Sequence, residues 1–409
     1  MKNIASTVKH IINQLPPSWE IKCFEDVAEI DGSNLTNSTA LNYEFEYISL
    51  SDIDSKNNRF STSKQVFGRA PSRARRVVKQ GDILMSTVRP NLKAFYLIKT
   101  EVKNLIASTG FALITAKACS KEYLYQFLFS SEIERQLHKL LVGSNYPAIN
   151  SSDVRKLKIS LPPLPEQKAI ASILATCDTQ INTLEKLICQ KEQQKKWLMQ
   201  NLLTEKIKLV TNQKKWVERK VSQLFTQKRR YINWDEKEQY NLISIKRRNG
   251  GIFYRPPLHG YDIGVKKLKE VKVSDFVISK RQASHGAWAV VEKKFDKAHI
   301  SDEYVSLEVL PQFLDPSFWK WYCQLPILTH CANIDSNGVH IEKSIFDYSL
   351  FKKRKIAIPE SLEEQQAIAQ VLTTAEKEIS LLKAKTEKLR ESKKGLMQQL
   401  LTGKKRVKI

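Results

Sequence analysis

EQKAIASIL, at residues 166–174, recurs as EQQAIAQVL at residues 364–372. The match continues without a gap over residues 166–204 and 364–402, where 17 of 39 positions are identical. The two copies lie 198 residues apart, close to half of the 409-residue chain. A repeat of this period indicates a chain built from two related halves.

Apolar residues in both copies recur at alternating steps of four and three, which is the heptad pattern of a helix with one apolar seam. Glu, Gln and Lys fill most of the other positions, as a solvated helix surface requires. We therefore predict one long helix in each half. The seam residues that we expect to pair the helices are Ile170, Leu174, Ile181, Leu184, Ile368, Leu372, Ile379 and Leu382.

Prolines precede both predicted helices, in LPPLPEQ (161–167) and IPESLEEQ (358–365). Proline suits a first helical turn, and an early Glu complements the helix dipole. Lys195 and Lys393 enter the two seams at the same step of the repeat. The helices could form two independent arms or one antiparallel pair. Equal length and matching heptads favour the pair, because each helix can then bury the seam of the other.

Weaker echoes outside the helices extend the repeat to the whole chain. GDILMSTVRPNLKAFYLI (81–98) resembles SDFVISKRQASHGAWAVV (274–291), and VRKLKISLP (154–162) resembles FKKRKIAIP (351–359). Short apolar runs between turn residues predict strands, for example at 44–53, 81–87, 94–98 and 110–116, and residues 121–141 predict one amphipathic helix. The fold class is therefore α+β, with a mixed or antiparallel sheet in each half.

The chain carries 67 Lys and Arg against 43 Asp and Glu, a formal charge of +24. Such a surface attracts a polyanion, and nucleic acid is the first candidate. No apolar run of about 18 residues favours a membrane instead. The opening segment shows no secretory signal, and the six cysteines form no CxxC pair. These features are typical of a cytoplasmic protein with reduced thiols and no structural metal.

Basic residues and polar amides cluster between the predicted strands of both halves. Arg and Lys neutralise phosphates, and Arg, Asn and Gln can form paired hydrogen bonds with base edges. The candidate DNA-binding residues are Arg69, Arg73, Arg75, Arg76, Arg89, Asn91, Lys93, Arg229, Arg230, Arg247, Arg248, Asn249, Arg255, Arg281, Gln282 and Ser284.

Phosphate-binding loops, HExxH and GxSxG motifs are absent from the sequence. DPSF (315–318) resembles the catalytic loop of adenine methyltransferases, but Ser317 replaces its second proline. Asp315 as an N-cap followed by Pro316 is the structural interpretation. Three alternatives to a DNA-recognition protein remain: a stand-alone DNA-modifying enzyme that uses DPSF, a coiled-coil scaffold that binds only proteins, and an RNA-binding protein.

LPPLPEQKAIASIL and IPESLEEQQAIAQVL, with the helix endings LLTEK and LLTGKKRV, resemble the specificity subunit of type I restriction–modification systems. Supporting elements are Trp19 and Trp216 at the domain openings and GDILMS at 81–86. The second copy departs from the family pattern, because PESLEEQ lacks the internal proline and VSDFVIS replaces GDILMS.

The resemblance implies two target recognition domains, at 1–161 and 210–358, each followed by a conserved helical region, at 162–209 and 359–409. The helices would form an antiparallel coiled coil with approximate twofold pseudosymmetry. The two domains would read an asymmetric, interrupted double-stranded DNA site without catalysing a reaction. Two methyltransferase subunits would use S-adenosylmethionine, and motor–endonuclease subunits would use ATP and Mg. The repeat also predicts that the two ends of the chain lie close together.

Overall fold

The computed structural model describes residues 15–54, 59–141, 147–209, 215–338 and 344–408. The chain forms two compact units, one of residues 1–186 with 383–409 and one of residues 187–382. Each unit holds one globular domain, the first part of the long helix that follows it and the last part of the other long helix. The boundaries of these units therefore fall inside the two helices.

The first unit contains twelve described strands and has four short helices before the first long helix. The strands are β1 Glu20–Cys23, β2 Ala28–Ile30, β3 Glu44–Ile48, β4 Ile53–Asp54, β5 Arg59–Phe60, β6 Ser63–Val66, β7 Ala74–Val78, β8 Ile83–Ser86, β9 Phe95–Leu97, β10 Leu105–Ser108, β11 Phe111–Ala116 and β12 Lys158–Leu161. The helices are α1 Phe24–Val27, α2 Lys121–Leu128, α3 Ser131–Leu141, α4 Ser151–Arg155 and α5 Leu164–Leu202, of which the last part belongs to the second unit.

The second unit has a similar order of elements, with two more described strands and no α-helix between its first two strands. Its described strands are β13 Val217–Lys220, β14 Phe225–Lys228, β15 Gln239–Tyr240, β16 Ile243–Ile245, β17 Ile252–Tyr254, β18 Leu258–His259, β19 Leu268–Glu270, β20 Phe276–Ser279, β21 Trp288–Val290, β22 His299–Ser301, β23 Tyr304–Val309, β24 Ser336–Asn337, β25 Ile345–Phe346 and β26 Lys355–Ile358. Its helices are α6 Pro316–Tyr322, α7 Pro326–Ile334, α8 Tyr348–Phe351 and α9 Leu362–Leu400, which ends in the first unit.

Two of the sheets have the same strand pairing in the two units. β1 pairs with β12 as β13 pairs with β26, and the sheet order β2-β11-β8-β9 recurs as β14-β23-β20-β21. The first unit adds a mixed sheet, β6-β3-β10-β7, in which β3 and β10 are parallel. In the second unit the corresponding region is reduced to short strand pairs and a parallel bridge between Leu242 and His299. The α+β class is confirmed, and the duplication extends to the sheets.

The prediction of one helix over residues 121–141 is wrong, because the chain forms the two helices α2 and α3 there. The break falls at Phe129 and Ser130, and the hydroxyl of Ser130 accepts a hydrogen bond from the amide of Ile133 at 3.2 Å. The Phe129 ring packs against Phe95, with the ring centroids 5.4 Å apart. The packing of Phe129 on the sheet and the cap at Ser130 therefore separate α2 from α3, although the apolar residues follow one continuous helical pattern.

A buried glutamine fastens each long helix to the domain before it. In the first unit, Gln167 accepts a hydrogen bond from the amide of Ser120 at 2.8 Å and donates to the carbonyl of Pro162 at 2.7 Å. In the second, Gln365 accepts from the amide of Asp315 at 2.8 Å and donates to the carbonyls of Phe313 and Pro359. Each amide is thus satisfied by backbone groups, as a buried polar group must be.

The glutamate before each glutamine receives the indole of the domain's first tryptophan. Trp19 donates to Glu166, and Trp216 donates to Glu364, both at 3.1 Å. Glu166 is fully buried, and the guanidinium of Arg406 binds both of its carboxylate oxygens, at 2.6 and 2.8 Å. Arg406 also donates to Ser18 at 3.2 Å. The prediction that the two ends of the chain lie together is confirmed for the described residues.

The helices run antiparallel in each unit, as ion pairs between them show. In the first unit, Asp178 of α5 binds Lys393 of α9, and Glu185 of α5 binds Arg390 of α9. Residue numbers therefore rise along α5 while they fall along α9. In the second, Lys191 and Lys195 of α5 bind Glu378 and Glu376 of α9 in the same sense. Because the Lys393–Asp178 and Lys195–Glu376 pairs are related by the repeat, the matched seam lysines have a matched role.

The predicted seam residues are buried in the first part of each helix and less so further on. Ile170, Leu174, Ile181, Ile368, Leu372 and Ile379 are buried, whereas Leu184 and Leu382 are half-buried. Ile170 and Leu174 belong to the core of their own domain, which Leu400 and Leu401 at the end of α9 also join. The first seam residues of each helix therefore pack into the core of the preceding domain.

Two further properties concern the described helices and the thiols. None of the described helices is long and apolar enough to cross a membrane. All six cysteines are free thiols, and burial raises the pKa of Cys119 to about 11 and that of Cys323 to about 12. These two thiols are therefore protonated and unreactive at neutral pH.

The Glu166–Arg406 pair predicts a stability that depends on pH. Burial by itself acts to raise the pKa of Glu166, but hydrogen bonds from Arg406 and Trp19 hold it below the ordinary value. A carboxyl with a depressed pKa stabilises the fold above its unfolded pKa, and the contribution disappears as pH falls through the folded pKa. We expect Arg406→Ala to lower the free energy of unfolding at pH 7 and to do so more than a charge removal at a neighbouring exposed residue, since Glu166 loses its cation.

The measurement is urea unfolding of wild type and variant at pH 7 and at pH 3. Lys405→Ala is the matched control, because it removes an equal charge from an exposed neighbour. The difference between wild type and Arg406→Ala should be smaller at pH 3 than at pH 7, because stability that comes from a depressed carboxyl pKa is lost as pH falls toward the folded pKa. Equal effects of the two substitutions at pH 7 would contradict this account.

Candidate nucleic-acid interface

Two loops of equal length occupy corresponding places in the sheets of the two units. Loop L1 (residues 87–94) connects β8 to β9, and loop L2 (residues 280–287) connects β20 to β21. Each contains one turn of 3₁₀-helix, at Pro90–Leu92 in L1 and Ala283–His285 in L2. Each turn closes on a left-handed residue, Lys93 in L1 and Gly286 in L2. Six of the sixteen candidate residues lie in these loops.

In the first unit, the loop that carries Arg73 meets L1 through residues 109 and 110. The carbonyl of Arg73 accepts from the amide of Thr109 at 2.8 Å, and the carbonyl of Gly110 accepts from the amide of Thr87 at 2.9 Å. Arg73 and, in L1, Arg89 and Asn91 have exposed side chains. These residues thus share one end of the domain.

The other candidates of the first unit have neighbours of their own. Arg69 is exposed, and the half-buried Arg75 lies over the Phe67 ring at 4.8 Å. Lys93 forms an ion pair with Glu134 of α3 at 3.2 Å, which ties L1 to that helix.

In the second unit, a hairpin tip joins L2. The tip lies between β16 and β17, and its residues Arg248 and Asn249 both adopt left-handed backbone conformations. Their amides donate to the carbonyls of His285 and Gly286 in L2, at 2.7 and 3.0 Å. The sequence does not reveal this contact, because the bonded residues are 37 positions apart.

An open cleft of about 590 Å³ lies where the tip meets L2. Four of the predicted residues line it, together with polar groups of α7 and its approach, and no Asp or Glu is among the described lining residues. The predicted four are Arg247, Arg248, Asn249 and Ser284. A concave surface with cations, amides and hydroxyls but no carboxylate suits a phosphate backbone and base edges.

Arg76 and Arg230 correct the sequence prediction, because both are bound within their own domains. Arg76 pairs with Asp31 at 2.7 Å and has 14% of its side chain exposed. Arg230 pairs with the buried Asp275 at 2.5 Å and with Glu308 at 3.1 Å. Each arginine balances a buried carboxylate, so neither is placed to neutralise a phosphate.

A buried cation at this position is common to both units. Lys269 is the counterpart of Arg76, since the isolated bridges Asn34–Arg76 and Tyr231–Lys269 correspond. Lys269 donates to the carbonyl of Tyr304 at 2.6 Å and pairs with Asp302 at 3.2 Å. Burial lowers the pKa of both Arg76 and Lys269, while Asp31 and Asp302 oppose the shift.

The remaining candidates of the second unit lie outside the cleft lining. Arg229 and Arg255 are exposed. Arg281 is exposed but binds Glu303 at 2.5 Å, and the half-buried Gln282 begins the turn of L2. Leu92 of L1, which is not among the candidates, has a side chain that is 64% exposed and corresponds in position to His285 of L2.

Asp315 of DPSF is an N-cap, as the structural interpretation predicted. Its carboxylate accepts hydrogen bonds from the amides of Ser317 and Phe318 at 2.8 and 3.2 Å and from Gln366 at 3.1 Å. Burial acts to raise its pKa, but the hydrogen bonds from Ser317 and Gln366 hold it below the ordinary value. The carboxylate is therefore occupied in joining α6 to α9. Among the described residues, no His, Cys, Asp and Glu cluster could hold a metal ion.

The contrast between exposed and bound arginines gives a prediction. We expect Arg248→Ala to weaken binding of the purified chain to a labelled DNA duplex about 3- to 10-fold, with a salt slope smaller by about one. Its unfolding should be unchanged. Arg230→Ala should instead lower the free energy of unfolding by about 2–4 kcal/mol, because Asp275 stays buried without its cation. Fluorescence anisotropy and urea unfolding measure the two effects, and the reverse pattern would contradict the assignment.

Comparison with known proteins identifies the fold and the family. The model of the family "Type I restriction modification DNA specificity domain" matches residues 16–193 and again residues 213–391. The MjaVIII type I restriction enzyme specificity subunit of Methanocaldococcus jannaschii is 26% identical over 355 residues, which cover 81% of each chain.

Solved structures agree with this family. A chain from a study of complex assembly and conformational transition of the type I R-M system has a TM-score of 0.63 at 21% identity, and covers 95% of this chain and 98% of its own. The HsdS subunit from Thermoanaerobacter tengcongensis has a TM-score of 0.54 at 22% identity, with the same coverage. The chain therefore belongs to the type I restriction–modification DNA specificity family, carries the domain of that family twice, and is a non-catalytic specificity subunit.

Proposed function

We propose that the chain reads an asymmetric, interrupted sequence in double-stranded DNA, with one half-site for each unit. The single observation that carries the proposal is the pair of loops L1 and L2. Both loops carry one 3₁₀ turn that closes on a left-handed residue, although Arg89 is also left-handed and its counterpart Gln282 is not, and their side chains differ at seven of the eight positions. A shared scaffold with different side chains suits two half-sites of different sequence.

Charge supports DNA as the ligand. The net charge of +24 supplies the attraction that holds a protein to the phosphate backbone. The exposed arginines and the cleft beside L2 would supply phosphate and base contacts. Arg69, Arg73, Arg89, Arg247, Arg248 and Asn249 are the residues that we propose for this role.

The long helices would set the spacing between the half-sites. Each of α5 and α9 has 39 residues, or about 58 Å of helix. Each begins in one unit and ends in the other. The antiparallel ion pairs give this pair of helices a fixed register, which a ruler requires.

Exposed apolar side chains on the helices support docking of partner subunits. Ile173 in the first unit and Trp197 and Leu381 in the second are exposed by 37%, 52% and 61%. Large apolar groups on a polar helix are typical of protein interaction sites. We propose two methyltransferase subunits, which would bring S-adenosylmethionine, and motor–endonuclease subunits, which would bring ATP and Mg. The assembly would act in the cytoplasm.

Sequencing of methylated host DNA tests the proposal. Deletion of the gene should remove methylation from one interrupted, asymmetric adenine motif, and a plasmid copy of the wild-type gene should restore it. Modification of the same motif in the deletion strain would refute DNA reading by this chain.

The ruler predicts a change of spacing. Repeating one heptad in both helices, residues 178–184 in α5 and 376–382 in α9, adds about 10 Å and preserves the seams. We expect the methylated motif to keep both half-sites and to gain up to about three base pairs of spacer, at about 3.4 Å per base pair.

The matched control is the same insertion in α5 alone. It should abolish methylation, because the seams and the ion pairs no longer match. An unchanged spacer in the double insertion would show that the helices do not set the distance.

A further inference from the structure

We infer that L1 and L2 are the loops that make the two half-sites differ, and that L1 reads adjacent A·T pairs through Asn91 and Leu92. The inference rests on the proposed function, because it names the bases read by one of the proposed DNA-reading units.

The first residues of the two loops are held by corresponding backbone contacts. In L1, the amide of Thr87 donates to the carbonyl of Gly110 at 2.9 Å, and the carbonyl of Thr87 accepts from the amide of Ile149 at 2.9 Å. In L2, the amide of Lys280 donates to the carbonyl of Glu303 at 2.9 Å, and the carbonyl of Lys280 accepts from the amide of Phe346 at 2.8 Å. The first residue of each loop is thus bonded on both sides to the same two places in its domain.

The far end of each loop is also fixed. L1 ends on left-handed Lys93, whose side chain pairs with Glu134 of α3. L2 ends on left-handed Gly286, where an added Cβ would lie 3.4 Å from Thr329 of α7. α3 and α7 are counterparts in the order of elements, so each loop is held between a sheet and the same helix. A loop held at both ends presents its side chains in one geometry, as specific recognition requires.

The side chains on this common frame differ. Counting from the first residue of each loop, Arg89 corresponds to Gln282, Asn91 to Ser284 and Leu92 to His285. Asn91 and Leu92 are exposed, and the leucine is 64% exposed on the turn of a basic loop. An apolar side chain at the tip of a DNA-reading loop cannot neutralise a phosphate, so its use would be an apolar contact with a base.

The chemistry of these two side chains selects A·T pairs. An Asn amide can bond to N6 and N7 of adenine in the major groove at once. A leucine can cover the methyl group of thymine, which C·G pairs lack. In L2 the same positions carry Ser284 and His285, which donate and accept hydrogen bonds but offer no aliphatic surface. The half-site of the second unit should therefore differ at the corresponding bases.

A loop exchange tests the inference in the strain that carries the intact chain and its methyltransferase partner. Residues 87–94 are replaced by KRQASHGA, the sequence of L2, and methylated motifs are determined by sequencing. We expect one to three adjacent positions of a single half-site to change, while the other half-site and the spacer stay the same. Full methylation of the unchanged motif would overturn the inference.

Single substitutions decide the case if the exchanged loop abolishes methylation. Asn91→Ala and Leu92→Ala truncate exposed side chains, so the fold should survive, which thermal unfolding checks. Leu140→Ala is the control, since it truncates an exposed leucine of α3 outside the loop. We expect Asn91→Ala to reduce a preference for adenine at least tenfold, measured as the ratio of methylated fractions at sites with and without that base. Leu92→Ala should reduce a preference for thymine by at least the same factor. Leu140→Ala should change neither ratio.

The outcomes separate this inference from the proposed function. If both variants methylate the original motif as selectively as wild type, or if the changed positions are G·C pairs, the inference is wrong while the proposed function stands. If deletion of the gene removes no motif at all, the proposed function itself fails.

Discussion

The contact on which the structure depends is the Glu-Gln pair at the start of each long helix, in which both glutamines and Glu166 are buried and Glu364 is half-buried. Gln167 and Gln365 satisfy their amides with the backbone of the preceding domain, and Glu166 and Glu364 receive that domain's tryptophan. A buried amide that loses its partners costs about 1–3 kcal/mol, so these hydrogen bonds hold the start of each helix against its domain. This constraint explains why EQKAIASIL and EQQAIAQVL stay alike while the domains before them diverge.

Buried or half-buried polar contacts also fix the pairing of the two long helices. Apolar seams alone allow slippage by a heptad, whereas a lysine in the seam must find a carboxylate. Lys393 finds Asp178 in the first unit, and Lys195 finds Glu376 in the second. Trp321 adds a contact in the second unit, where its indole donates to Thr373 and Lys195 lies 5.9 Å from its ring. The register of the helices is thus fixed by polar groups and their stability by apolar ones.

Sequence reasoning reached the architecture because the repeat and the heptads are periodic, local signals. It could not separate Arg76 and Arg230 from the exposed arginines, since the carboxylates that bind them, Asp31 and Asp275, lie 45 residues away in sequence. The break at Phe129 depended on a ring packed from the sheet, which helical periodicity does not record. Leu92 was not a candidate because its side chain has neither a charge nor a hydrogen-bonding group, and its exposure is known only from the structure.

In the proposed function, two domains of related fold read two different DNA half-sites. The direct measurement replaces the second domain, residues 215–361, with a copy of the first, residues 18–163, keeps both long helices, and sequences the methylated DNA. The account predicts a motif with two copies of the first half-site at the original spacing. A motif that retains the second half-site, or one that is no longer interrupted, would contradict it.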